Sequence, residues 1–116
     1  MNNKDIPEKM ITLKLPEKGM LYNCYMPFLE HGGLFVPTDD VFSIGQDILL
    51  AVEIGNHPKR FLPTKVAWVN PARTSAHRPK GIGLAFTSHE ICLQTKNLIE
   101  AELGNSLRSD RATFTL

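Results

Sequence analysis

No arginine occurs before Arg60, so the first half of the chain lacks the side chain best suited to grip phosphates and guanine edges bidentately. Nor is there a basic excess. Thirteen Lys and Arg against twelve Asp and Glu leave a net charge of +1, spread without a stripe, which argues against a nucleic-acid binder. Only two cysteines are present, Cys24 and Cys92, far apart in sequence; that excludes a disulfide framework and predicts reduced thiols. The four histidines, His31, His57, His77 and His89, share no ligand spacing and have no cysteine motif or carboxylate pair beside them, so no metal site is predicted. No serine sits in a nucleophile elbow, and the reading is of a non-enzyme without a cofactor. No stretch nears the ~20 apolar residues of a membrane span, and residues 1–9 form no apolar signal region. The expectation is a cytoplasmic protein with no direct membrane insertion.

What is present is ordinary for one globular domain: 116 residues, 42% hydrophobic and 22% charged. We divide the chain into a flexible start (residues 1–9), a single domain (10–104) and a mobile tail (105–116). Ile11, Leu13 and Leu15 alternate with polar residues as in a half-buried strand, and Pro16-Glu17-Lys18-Gly19 reads as a turn. Residues 20–26, with two tyrosines, read as a second strand ending at Pro27. Glu30-His31-Gly32-Gly33 is a turn whose glycines supply positive backbone angles, and Leu34-Phe35-Val36 a third strand. Thr38-Asp39-Asp40 reads as a loop or a helical turn. Ile48, Leu50, Val52 and Ile54 mark a fourth strand, and residues 61–69 a fifth, with Val66 and Trp68 expected on one face. Residues 70–79 read as a loop. Ile82, Leu84 and Phe86 mark a sixth strand, in which Gly81 and Gly83 signal a bulge or a close backbone approach. Thr87-x-x-Glu90 fits a capping box, and Ile91, Thr95, Leu98, Ile99 and Ala101 follow at helical spacing up to Gly104. The sum is a mainly β fold: a six-stranded antiparallel barrel with a C-terminal α-helix covering one end.

Three segments in this order, Gly32-Gly33-Leu34-Phe35-Val36, Lys65-Val66-Ala67-Trp68-Val69 and Gly81-Ile82-Gly83-Leu84-Ala85-Phe86, resemble the PilZ domain family. Tyr22-x-x-Tyr25-Met26-Pro27-Phe28, the run to Thr38, and the ending Ser109-Asp110-Arg111 with Thr113 and Thr115 are similar to the family's stand-alone members in type IV pilus assembly. The family is best known for binding cyclic di-GMP through an R-x-x-x-R loop and a D/N-x-S-x-x-G turn. Here the second pattern falls on Phe28-x-Glu30-x-x-Gly33, of which only the glycine matches, and the arginine pair has no counterpart. Lys4, Lys9, Lys14 and Lys18 precede the turn, but lysine lacks the planar fork. The resemblance therefore implies a protein that does not bind cyclic di-GMP directly.

What the resemblance implies instead is an adaptor for pilus biogenesis and twitching motility, monomeric when isolated. Its partners are the PilB-type pilus extension ATPase and, in some bacteria, a FimX-like EAL-domain protein. The partner-binding residues expected on this reading are Tyr22, Tyr25, Met26, Phe28 and Trp68. From the residues alone two assignments stand: Tyr22, Tyr25, Met26 and Phe28 as core or as interface, and Trp68 as barrel wall or as interface anchor. The terminal run Thr113-Phe114-Thr115-Leu116 alternates, and reads either as a frayed end or as a strand for a partner's sheet edge.

Overall fold

A computed structural model describes residues 9–71, 79–108 and 113–115. Within them the order is β1 (Met10–Leu15), α1 (Lys18–Cys24), β2 (Gly33–Pro37), β3 (Asp47–Ile54), β4 (Arg60–Asn70), β5 (Gly81–Phe86) and α2 (Glu90–Leu103), followed by a 3-10 turn, Gly104–Arg108. The five strands form one curled sheet, a half-barrel, in the order β1-β3-β4-β5-β2. The mainly β fold with its C-terminal helix is as expected. Among the described residues there are five strands and not six, the expected second strand over residues 20–26 being absent, and the sheet is mixed: β1 runs parallel to β3, while the other pairs are antiparallel.

Both differences have one cause. Residues 20–26 were expected to be a strand, yet Leu21, Tyr22, Cys24 and Tyr25 fall at i, i+1, i+3 and i+4, the stripe of a helix buried on one side. Lys18 and Gly19 of the expected turn are the first residues of this helix, with Glu17 extended as its N-cap and the Leu21 amide donating to the Glu17 carbonyl. Tertiary burial of that stripe outweighs the β preference of the tyrosines. With a helix in place of a hairpin arm, β1 cannot fold back on its neighbour. The chain crosses to the far edge as β2, and β3 later returns alongside β1 in the same direction. Helix α1 packs against β1, β2 and α2, and so fills the gap between the two sheet edges.

The concave face of the sheet is the core. Ile48, Leu50, Val52 and Ile54 of β3, Leu62 and Val66 of β4, Ile82, Leu84 and Phe86 of β5, and Leu34 and Val36 of β2 converge there. Each contributes roughly 1.5–3 kcal/mol on burial. Thr64 is buried among them, and its hydroxyl donates to the Ile48 carbonyl at 2.7 Å, so that hydroxyl is not stranded. Helix α2 adds Cys92, Thr95, Ile99 and Leu103 and ends at Gly104 as the pattern predicts. Its start differs: His89 is the N-cap and makes no side-chain capping bond, while the Thr87 hydroxyl accepts from the His89 amide at 3.5 Å. The expected capping box is therefore out of frame.

Residues 104–108 form the 3-10 turn, and the Phe114 amide donates to the Asn23 carbonyl of α1 at 3.0 Å. The Phe114 ring meets Phe35 edge-on, with centroids 6.0 Å apart, and Thr115 is buried. The described part of the ending thus docks on its own domain. Ser109, Asp110, Arg111 and Leu116 lie outside the described residues.

Candidate protein-binding site

The outer face of the sheet carries a second apolar cluster, separate from the core. Phe35 of β2 points outward, opposite in direction to Leu34 and Val36, and pairs across the sheet with Gly83. Gly83 in turn pairs with Trp68. A Cβ on Gly83 would lie 2.7 Å from both Met26 Cε and Trp68 Cβ, so the missing side chain is what lets Met26 and Trp68 settle onto β5. Phe35 and Met26 are fully buried in this cluster. The close approach expected at the β5 glycines is found here.

Trp68 reaches this face through a bulge. Val66 pairs with Leu84 and Trp68 with Gly83, so Ala67 is the extra residue between them. Strict alternation would put Val66 and Trp68 on the same face, as the sequence reading expected. The inserted residue flips the second half of β4, so Val66 stays in the core while Trp68 turns outward. The indole N–H donates to Asn70 Oδ1 at 2.9 Å, and the Asn70 amide donates to the Pro79 carbonyl at 3.3 Å. The indole is therefore held in orientation, and its one donor is already used.

Phe28 completes the site. It sits in the loop of residues 26–33, is 45% exposed, and tilts against Trp68 with centroids 6.1 Å apart at 59°. That separation and tilt suit an attractive aromatic pair. Loop geometry comes from Gly32, whose φ of 77° is the positive angle expected of this turn. Gly33 is needed for a different reason: a Cβ there would sit 2.5 Å from the Leu84 carbonyl oxygen of the neighbouring strand.

Of the five residues predicted to bind a partner, Met26, Phe28 and Trp68 meet on this outer face. Tyr22 and Tyr25 do not join them: both are buried in the core cluster on the concave side. Tyr22 is only 6% exposed, and Tyr25 and Met26 less, so none of the three offers surface. Of the five, Phe28 is exposed and Trp68 half-buried. Sequence reading missed Phe35, Phe114 and Asn70 as supports; the Gly81-x-Gly83 spacing was the signal that a side chain would lie across β5.

Among the described residues, the charges nearby do not form an anion cradle. Glu30, in the same loop, is highly exposed and faces His31 at 3.7 Å. Lys9 lies 4.0 Å from Asp40 and over the Phe42 ring, and Lys14 lies 3.8 Å from Glu53. Both cysteines are free and buried, and burial pushes the Cys24 thiol up to about 12. Among the described residues, no three His, Cys, Asp or Glu side chains are placed to share a metal ion. Nor is any helix there long and apolar enough to cross a membrane. His77 lies outside the described residues.

No curated protein matches this chain. The family model of the PilZ domain matches residues 7–103, most of the chain and all of its regular elements up to the end of α2. Together with the curled sheet and its C-terminal helix, this match makes the chain a member of the PilZ domain family.

Proposed function

We propose that this protein is a non-enzymatic adaptor of type IV pilus assembly and twitching motility, docking on the PilB-type extension ATPase through Phe28 and Trp68. The PilZ family consists of non-catalytic adaptor and receptor domains of cyclic di-GMP signalling, so the choice lies between holding the nucleotide and holding a protein. One observation carries the choice. Phe28 occupies the position where the family's nucleotide-binding turn has a polar acceptor, and its ring is spent on Trp68. An anionic dinucleotide needs charged or hydrogen-bonding groups there; an exposed Phe28 tilted against a half-buried Trp68 whose indole N–H is already engaged supplies neither. An exposed loop Phe backed by a half-buried strand Trp suits a protein interface, where such rings act as anchors.

The concave side, filled among the described residues by packed apolar side chains, agrees with this reading. A FimX-like EAL-domain protein, where the organism has one, is the second partner: it senses the nucleotide and passes the signal on by contact. The test is a calorimetric titration with cyclic di-GMP. No saturable heat up to high micromolar nucleotide is expected. Saturable micromolar binding would make the chain a direct receptor and overturn the adaptor reading.

A further inference from the structure

We propose that Glu100 on α2 is a positioning residue for the aromatic pair, acting through Tyr25 to clamp the loop that carries Phe28. The Tyr25 hydroxyl donates to Glu100 Oε2 at 2.6 Å, and Lys96 Nζ lies 3.4 Å from the same oxygen. Tyr25 is the residue at which α1 ends and the loop begins. It bridges to Leu34 of β2, and the next amide, Met26, donates to the Gly33 carbonyl at 2.9 Å. These bonds close the neck of the loop.

The far end of the loop meets the same clamp. A Cβ on Gly32 would lie 3.4 Å from the Tyr25 ring and from Lys96 Cδ, so the glycine backbone rests on both side chains. The Gly32 amide donates to the Leu29 carbonyl, and its carbonyl accepts from the Phe86 amide. Both ends of the loop therefore depend on where the Tyr25 ring stands, and a single carboxylate on α2 holds that ring. Between the two ends, Pro27, Phe28 and Glu30 are exposed, and Phe28 is tied down by its contact with Trp68. The ring position of Phe28 is thus set from two sides, Trp68 in front and the clamp behind.

Glu100 and Lys96 remain partly exposed on α2. A protein that draws either into an ion pair of its own would loosen the neck and shift Phe28. The role in partner binding rests on the adaptor reading above; the clamp itself does not.

The experiment uses the full chain as Tyr25→Phe, Glu100→Ala and Glu100→Gln. Amide exchange is read at Met26 and Gly32, and acrylamide quenching reads Trp68, the only tryptophan. Tyr25→Phe and Glu100→Ala are expected to speed exchange at both amides by about tenfold or more and to raise quenching, with β3 and β4 amides unchanged. Glu100→Gln keeps an acceptor for the phenol and is expected to stay near wild type at both readouts. Exchange that rises equally in β3 and β4, or Trp68 quenching that does not move, overturns the proposal and leaves Tyr25 a core residue only. None of these readouts needs a partner, so failure of the clamp and failure of the adaptor reading are seen separately.

Discussion

Substituting Gly83 by alanine places one methyl group where the account says none fits. The new Cβ would lie 2.7 Å from Trp68 Cβ and Met26 Cε, and 2.8 Å from Met26 Sδ. An ordinary contact needs at least 3.4 Å, so the neighbours must retreat by more than half an ångström. The Met26 methyl is the end of a flexible chain and can swing aside. Trp68 Cβ cannot, because its backbone is locked in register opposite Gly83. Positive φ is confined to Gly32, Gly45, Gly55 and Gly104, so the cost at Gly83 is crowding alone. Overpacking of this kind costs about 1–3 kcal/mol. Urea unfolding followed by far-ultraviolet circular dichroism measures it, and native-state tryptophan emission reports Trp68 alone. The expected result is a lower midpoint at unchanged slope, with a shifted native emission maximum. Stability within about 0.5 kcal/mol of wild type together with unchanged emission would refute the outer-face cluster as drawn.

Three other perturbations test the rest of the architecture. Tyr22→Ala empties a core position and is expected to cost about 3–5 kcal/mol in chemical denaturation; a cost below about 1 kcal/mol would return Tyr22 to the surface. Phe114→Ala removes the ring from Phe35 and is expected to cost about 1–2 kcal/mol, whereas an unchanged midpoint would mean the ending does not dock. The third is alkaline. Burial raises the Cys24 thiol from 9.0 to about 12, and burial, then the bond to Glu100 and its charge, raise the Tyr25 phenol above its usual 10.0. The unfolded chain loses both protons first, so this stability is full below about pH 9 and declines as pH rises, by about 1.4 kcal/mol per pH unit for each group. Cys24→Ala should flatten the decline between pH 9 and 11 by one group's share; equal slopes in the two proteins would contradict it.

How much of this was legible depends on how local the signal is. The strands β3 and β5 and the helix α2 were readable because each carries its own period: Ile48, Leu50, Val52 and Ile54 alternate, and Thr95, Ile99 and Leu103 recur every four residues. Helix α1 was misread because Tyr22 and Tyr25 favour strands in isolation, although the stripe formed with Leu21 and Cys24 was in plain view. The bulge at Ala67 leaves no mark in composition, yet it alone decides that Trp68 faces outward. The parallel pairing of β1 with β3 spans dozens of residues and has no local signature. Within the candidate site, the glycine spacing of β5 pointed the right way. The burial of Tyr25 did not show, since its partner Glu100 lies on a helix 75 residues further on.

Of the five residues expected to bind a partner, the fold buries Tyr22 and leaves Phe28 exposed beside a half-buried Trp68. Tyr22→Ala would weaken any interaction by unsettling the core, whereas Phe28 and Trp68 lie outside the core cluster. The central claim is that these two rings are the anchor for a protein partner. Its most direct test is the affinity of the purified chain for the PilB-type extension ATPase, for wild type, Phe28→Ala and Trp68→Ala, with each fold checked by circular dichroism. The account predicts a loss of about 2 kcal/mol or more for each ring, roughly thirtyfold in Kd, with the fold retained. Wild-type affinity in both folded variants would contradict it.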